Sequence, residues 1–226
     1  MPEECVVLLH GLGRTRLSMR ALQRDLENSG FCVWNKSYPS TKKSIEELSC
    51  AVGQAIAQCV EKNATPIHFV THSLGGILVR HYFQDHGLEQ ISRVVMLGPP
   101  NHGSEIVDHW RDKWWFKLAT GPSGQELGTG PTSLPNSLKP LNLEVGIIAG
   151  CKSSDPWFSP LFSTENDGKV SVASARLEGM KDFLVVNRGH IFMANSTEVR
   201  RQVVSFLKTG MFEKNLTVPE QGGNRQ

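Results

Sequence analysis

The chain has 226 residues, 39% hydrophobic and 20% charged, with a formal net charge of +2, enough for one domain with a substantial core. Its basic residues are scattered, without the stripe or aromatic interleaving of a nucleic-acid binder. No apolar run approaches the roughly 20 residues needed to span a bilayer, so no integral membrane segment is expected. Six strands are read at about 5–9, 31–35, 67–71, 93–97, 145–149 and 183–187. Most are continuous apolar runs, as strands covered on both faces should be. The first is Cys5 to Leu9, followed at once by His10-Gly11-Leu12-Gly13. A helix over 16–29 ends before Gly30, and Ser44-Ile45-Glu46-Glu47 has capping-box spacing ahead of a stripe of Ile45, Leu48, Val52, Ile56 and Cys59. After the third strand comes Thr71-His72-Ser73-Leu74-Gly75, then a helix over 75–86. The fourth strand leads into Gly98-Pro99-Pro100-Asn101-His102-Gly103-Ser104. Residues 104–142 break the rhythm: a helix over 104–118 carries Trp110, Trp114, Trp115 and Phe116, and a Gly/Pro/Ser-rich loop runs from Gly121 to Pro140. Beyond the fifth strand lies Asn166-Asp167-Gly168-Lys169-Val170, and beyond the sixth Arg188-Gly189-His190-Ile191. A last helix over 197–208 stops at Gly210, and 211–226 reads as a flexible tail after a single domain over 1–210.

Strands alternating with helices specify a parallel sheet with right-handed crossovers. Candidate chemistry then gathers beyond the C-terminal ends of the strands, where open sheets of this kind hold their sites. Ser73 stands on a strand-to-helix join, and the backbone N–H groups that open the helix, Leu74 foremost, have no intrahelical acceptor. They suit a developing oxyanion. Serine is a poor nucleophile at its own pKa and needs a base beside it. Histidine fits that role because it titrates near neutrality. His190, His102 and His72 are the candidates by position. His72 cannot reach its neighbour's oxygen and reads as packing or pocket wall; His102 reads as cleft lining. An acid to orient the base is offered by Asp167, Asp155 or Asp182.

These residues together resemble a small α/β-hydrolase of the lipase and esterase branch, and in particular bacterial lipase-type proteins with a Thr-His-Ser-Leu-Gly-Gly elbow. The resemblance spans about residues 4 to 209, through Leu9-His10-Gly11-Leu12, Thr71 to Gly76, Gly98 to Ser104, Asp167-Gly168 and Gly189-His190. It departs at Thr71, where the G-x-S-x-G pattern has its first glycine. It implies a minimal α/β-hydrolase fold: about six mostly parallel strands, helices on both faces and a small cap segment over 104–142. It also implies ester hydrolysis through an acyl-serine, with the chain order Ser73, Asp167, His190. Asp167 is favoured over Asp155 because Asp-Gly before an apolar run resembles the acid loop of lipases. The second oxyanion donor is then the N–H of Leu12, in the His10-Gly11 loop, paired with that of Leu74.

The same triad could serve an acyltransferase or a thioesterase, and a catalytically silent binding protein could use the same fold. A nucleotide-binding domain is disfavoured, because Gly11-Leu12-Gly13 lacks the third glycine of its phosphate loop. The substrate expected is a small-molecule ester or lipid-like compound, and no metal or organic cofactor is required. Substrate-pocket candidates are His10, His72, His102, Trp110, Trp114 and Trp115. The aromatic helix could line an acyl pocket, pack as core or rest on a lipid surface; the mixed signs of Arg111, Asp112, Lys113 and Lys117 argue against the last. Five cysteines without metal spacing read as buried reduced thiols, and Met1-Pro2-Glu3-Glu4 runs straight into the first strand, so a cytoplasmic location is expected.

Overall fold

Apolar runs that alternate between two covered faces make the sheet of this protein. The structure, a computed structural model, describes residues 3–87, 89, 91–153 and 158–213. Its strands are β1 (Cys5–Leu9), β2 (Cys32–Asn35), β3 (Ile67–His72), β4 (Ile91–Leu97), β5 (Glu144–Gly150) and β6 (Asp182–Val186). They form one parallel sheet in the order β2-β1-β3-β4-β5-β6. This is the minimal α/β-hydrolase arrangement that the sequence implied. β1 and β3 are buried along their whole length, whereas β2 and β6, at the edges, are only partly covered.

The two-residue period decides which side chains meet which helices. Cys5, Val7 and Leu9 join a core built with α2 (Ile45–Glu61) and α3 (Leu74–Tyr82). Val6 and Leu8 turn the other way, toward α1 (Arg20–Asn28) and α8 (Thr197–Thr209). Gly146 in β5 serves that second core: a Cβ there would lie 2.6 Å from the Phe206 ring of α8. The capping box at Ser44 forms, with the Glu47 N–H donating to Ser44 Oγ at 3.2 Å and the Ser44 N–H donating to Glu47 Oε2 at 3.0 Å. Gly210 takes the left-handed conformation that ends α8.

Two readings are corrected. The helix expected over 75–86 starts one residue earlier and ends at Tyr82, whose carbonyl accepts from the His86 ring at 2.7 Å. The helix expected over 104–118 is two helices, α4 (Glu105–Trp110) and α5 (Trp114–Gln125), parted by extended backbone at Lys113. α5 takes up part of the expected loop and is itself broken at Gly121, whose φ of +64° precedes Pro122. There a Cβ would collide with the Thr41 carbonyl, so glycine is required. A short α6 (Leu134–Ser137) follows, and α7 (Val172–Ala175) lies between β5 and β6.

A buried arginine that sequence reading passed over ties this region to the core. Arg80 of α3 is 2% exposed and donates to the Asn101 carbonyl at 2.9 Å and the Leu138 carbonyl at 2.8 Å. Asn101 in turn donates to the Ala175 carbonyl at 2.9 Å. Burial pushes the Arg80 guanidinium down to about 10. All five cysteines are free; Cys5 and Cys59 are buried as expected, but Cys50 is exposed. Among the described residues no helix is long and apolar enough to cross a membrane. Most of the 211–226 tail lies outside the described residues.

Candidate active site

Strand order places the site. The chain runs from β1 outward to β2, then crosses to β3 on the other side of β1. The loops leaving β1 and β3 therefore diverge and leave a crevice at the sheet's C-terminal edge. His10 to Gly13 and Ser73 flank that crevice.

Ser73 sits on a strained turn, with φ +52° and ψ −120°. Its N–H donates to the Leu97 carbonyl at the end of β4 at 2.9 Å. Small neighbours make the turn possible. A Cβ at Gly75 would come within 2.7 Å of the Leu9 carbonyl oxygen, and one at Gly11 within 3.2 Å of Ser73 Cβ. Thr71 is tolerated where a glycine was anticipated because it is an ordinary strand residue, fully buried and paired between Leu9 and Met96. Among the described residues, the N–H groups of Leu12 and Leu74 have no protein acceptor.

Asp167 and His190 meet at the next strand ends. The His190 ring Nδ1 lies 2.7 Å from Asp167 Oδ2, and the His190 backbone N–H donates to the Asp167 carbonyl at 2.9 Å. The other carboxylate oxygen, Oδ1, accepts the N–H groups of Lys169 at 2.9 Å and Val170 at 2.8 Å. Asp167 thus closes a turn on the N–H groups of Lys169 and Val170 and holds an imidazole as well. Two glycines that the sequence did not mark as site residues make room for this pair. A Cβ at Gly98, whose φ is +52°, would sit 2.9 Å from Asp167 Oδ2 and 3.1 Å from His190 Nδ1. A Cβ at Gly150 would sit 2.8 Å from Asp167 Cβ. Of the rival acids, Asp182 is engaged with the N–H groups of Phe183 and Phe212 at the far end of the sheet. Asp155 lies outside the described residues.

Ser73, His190, His72 and Leu12 all line one cavity of about 340 Å³. Its apolar wall includes Ile106, Val107, Trp115, Phe116, Leu127 and Phe158. Among the described residues no hydrogen bond joins the Ser73 hydroxyl to the His190 ring; contacts of this kind often close only when a substrate aligns them. A second hollow of about 430 Å³ between β2 and α2 is lined by none of the expected site residues.

The pocket candidates divide. Trp115 and His72 line the cavity. The ring of His72 donates from Nε2 to the His190 carbonyl at 3.0 Å and lies 4.8 Å from the His190 ring, centroid to centroid. Burial above all, with His190 adding to it, pushes the His72 imidazole down to about 3, so it is neutral near pH 7. His10 does not line the cavity. It stacks on Tyr38 at 4.0 Å, its Nδ1 donates to the Gly11 carbonyl at 2.9 Å, and its Nε2 accepts the Tyr38 N–H at 3.2 Å. That pins the loop carrying Leu12 in place. His102 is exposed and bonded to Asn136 at 2.7 Å, Trp110 packs against the α2–α3 core, and Trp114 is 75% exposed. None of these three lines the cavity. No group of His, Cys, Asp and Glu able to hold a metal occurs among the described residues.

Residues 4–143 match the family model described as alpha/beta hydrolase fold. The match takes in the His10-Gly11 loop and the Ser73 turn and stops short of Asp167 and His190. No curated protein matches the chain. Among solved structures, a mature Bacillus licheniformis lipase superimposes with a TM-score of 0.74 at 17% identity, covering 93% of this chain and 94% of that one. A metagenomic carboxyl esterase gives 0.65 at 18% identity, over 84% of this chain and 65% of that one. An esterase of Pyrococcus furiosus gives 0.63 at 16% identity, over 92% and 82%. At these identities the likeness is one of fold. With more than half its length matched by the family model, and its sheet, crevice and serine turn arranged accordingly, the chain belongs to the alpha/beta hydrolase fold family.

Proposed function

We propose that this protein is a serine hydrolase that cleaves carboxylic esters through an acyl-serine intermediate. The observation that carries the reading is the His190–Asp167 hydrogen bond of 2.7 Å beside a cavity that Ser73 enters from a positive-φ turn. Ser73 attacks the ester carbonyl while His190 takes its proton, and the carbonyl oxygen becomes an oxyanion held by the N–H groups of Leu12 and Leu74. His190 then protonates the departing alcohol, leaving the acyl group on Ser73. Water, deprotonated by the same imidazole, attacks the acyl-serine and releases the acid. Asp167 holds the ring in the tautomer that leaves Nε2 free to accept, and stabilises the imidazolium. The cap role of 104–142 belongs to this reading, since α4 and α5 supply most of the cavity's apolar wall. So does the cytoplasmic placement, with which five free thiols agree.

The test is hydrolysis of p-nitrophenyl esters graded from acetate to palmitate. Ser73→Ala should abolish turnover of every member while leaving the circular dichroism spectrum and melting temperature intact. Turnover persisting in purified Ser73→Ala would refute the assignment.

A further inference from the structure

The Leu12 N–H and the Gly11 carbonyl belong to one planar peptide and point opposite ways, so whatever holds the carbonyl aims the N–H. The Gly11 carbonyl accepts from His10 Nδ1 at 2.9 Å and from the Arg14 N–H at 3.2 Å. His10 is held in turn by the chain just beyond β2. Its Nε2 accepts the Tyr38 N–H at 3.2 Å, its ring stacks on the Tyr38 ring, and its carbonyl accepts from the Tyr38 hydroxyl. Burial lowers the His10 imidazole, which keeps Nε2 unprotonated and able to accept. Two residues beyond Tyr38, Ser40 Oγ accepts the Gly13 N–H at 3.0 Å. The donor loop therefore rests on Tyr38 and Ser40 from both sides of Leu12.

The same short segment carries the far end of α5. The Ser123 hydroxyl donates to the Ser40 carbonyl at 2.5 Å, and the Ser123 N–H donates to the Lys43 carbonyl at 3.2 Å. Gly121 lies so close to the Thr41 carbonyl that it has no room for a side chain. Gly124 faces Leu12 itself, a Cβ there falling 3.1 Å from Leu12 Cδ2. Ser40 is buried and Ser123 wholly so, and neither they nor Tyr38 line the cavity. Their influence on a substrate can reach it only through the groups they hold. Ser40 holds two at once, the donor loop by its side chain and the cap by its carbonyl.

We propose that residues 38–43 couple the cap to the oxyanion donor, with Tyr38 and Ser40 as positioning residues for the Leu12 N–H and Ser123 acting through them. The inference rests on the hydrolase reading, in which Leu12 is that donor. Acylation and deacylation both pass through an oxyanion, so a tilted donor should slow the chemistry without weakening substrate binding. The experiment measures turnover of p-nitrophenyl butyrate per active site titrated with a fluorophosphonate. It also compares inhibition by a trifluoromethyl ketone, whose serine adduct carries the oxyanion, with that by the matching methyl ketone. Ser40→Ala, Ser123→Ala and Tyr38→Phe, the last keeping the ring that stacks on His10, should each lower kcat about three- to tenfold with KM nearly unchanged. Inhibition by the trifluoromethyl ketone should weaken in step with kcat, while the methyl ketone holds constant. Ser40→Ala combined with Ser123→Ala should lose less than the product of the two, because both act on one segment. A titrated kcat equal to wild type in all three variants, a rise in KM alone, or fully independent losses in the double variant would each overturn the proposal. Ser73-dependent turnover that ignores Tyr38, Ser40 and Ser123 defeats the coupling alone; a wild type that turns over no ester defeats the hydrolase reading and the coupling with it.

Discussion

The crevice between β1 and β3 and the wall built by α4 and α5 lie against the same cavity but are held by different means. In the crevice and the strand ends beside it, side chains and backbone are specified several times over. His190 is fixed through its N–H, its carbonyl and its ring; the Asp167 carboxylate takes three donors; and Gly11, Gly75, Gly98 and Gly150 each stand where a Cβ would collide with a site residue or its support. The wall is tied by hydrogen bonds at its ends, where Ser104 donates to the Lys169 carbonyl and Ser123 to the carbonyls of Ser40 and Lys43, but the first turns of α5 are held by apolar contact on one side, with Phe116 8% exposed while its neighbours Trp114 and Leu118 face outward. The lesson is a division of labour. Chemistry that tolerates little displacement is anchored by hydrogen bonds and glycine packing, while substrate shape and surface contact are left to a segment free to vary.

The largest effect should follow from breaking the anchored half. His190→Ala is expected to lower kcat for p-nitrophenyl butyrate by at least about 10⁴-fold with no loss of folding, because the nucleophile loses its base. A variant within tenfold of wild type would place the base elsewhere. Gly98→Ala probes the same pair by crowding it. The added methyl meets both Asp167 and His190 at a positive-φ position, so activity should fall about 10²-fold and stability by about 1–3 kcal/mol. Urea denaturation alongside kinetics checks both.

His72 sharpens the comparison, because it serves the anchored half from the cavity side. His72→Leu removes the donor to the His190 carbonyl and should lower kcat roughly tenfold with KM little changed; His72→Gln, which keeps a donor, should recover most of it. The same residue makes a prediction about acid. Its folded value, about 3, lies below the 6.5 of the free side chain. Between those values the unfolded chain binds the extra proton, so stability is lost as pH falls from about 6.5 toward 3. At pH 5 the loss is about 2 kcal/mol from this group. Burial lowers His10 and His68 too, which adds loss in the same direction. Thermal melts of wild type and His72→Gln from pH 7 to pH 4 should therefore converge as the solution becomes more acidic. Curves that stay parallel would mean that His72 is not held neutral.

The smallest effects belong to the wall. Phe116→Ala should cost about 3 kcal/mol as buried packing, whereas Trp114→Ala, a few ångströms of chain away, should change stability by no more than about 0.5 kcal/mol. Equal losses at both positions would show that the outer face of α5 is covered in solution.

Much of this was legible in the residues themselves, and the reason differs from part to part. The central strands were readable because both their faces are buried: Cys5–Leu9 is an unbroken apolar run, and Ile67–His72 carries Ile67, Phe69 and Val70 between its histidines and Thr71. The serine turn was readable despite Thr71, since the close approach that excludes a side chain occurs at Gly75 and not at the position before His72. Three things were not readable. The break at Lys113 depends on how α4 and α5 pack, to which helical periodicity is blind. His10 looked like a pocket residue because its place beside Leu12 is evident while its stacking on Tyr38, a partner 28 residues away, is not. Gly98 and Arg80 act through space on residues far along the chain, and a lone glycine or arginine gives no sign of that in sequence. A glycine directly after β4, at the C-terminal edge of the sheet, was the one available signal for the first of these.

The most direct test of the account is covalent labelling by a fluorophosphonate probe, followed by peptide mapping of the folded protein. A single adduct on Ser73, lost when the protein is first denatured and suppressed in His190→Ala, is the predicted result. A folded, monodisperse protein that takes up no probe, or takes it up at another serine, would contradict the claim that Ser73 is an activated nucleophile.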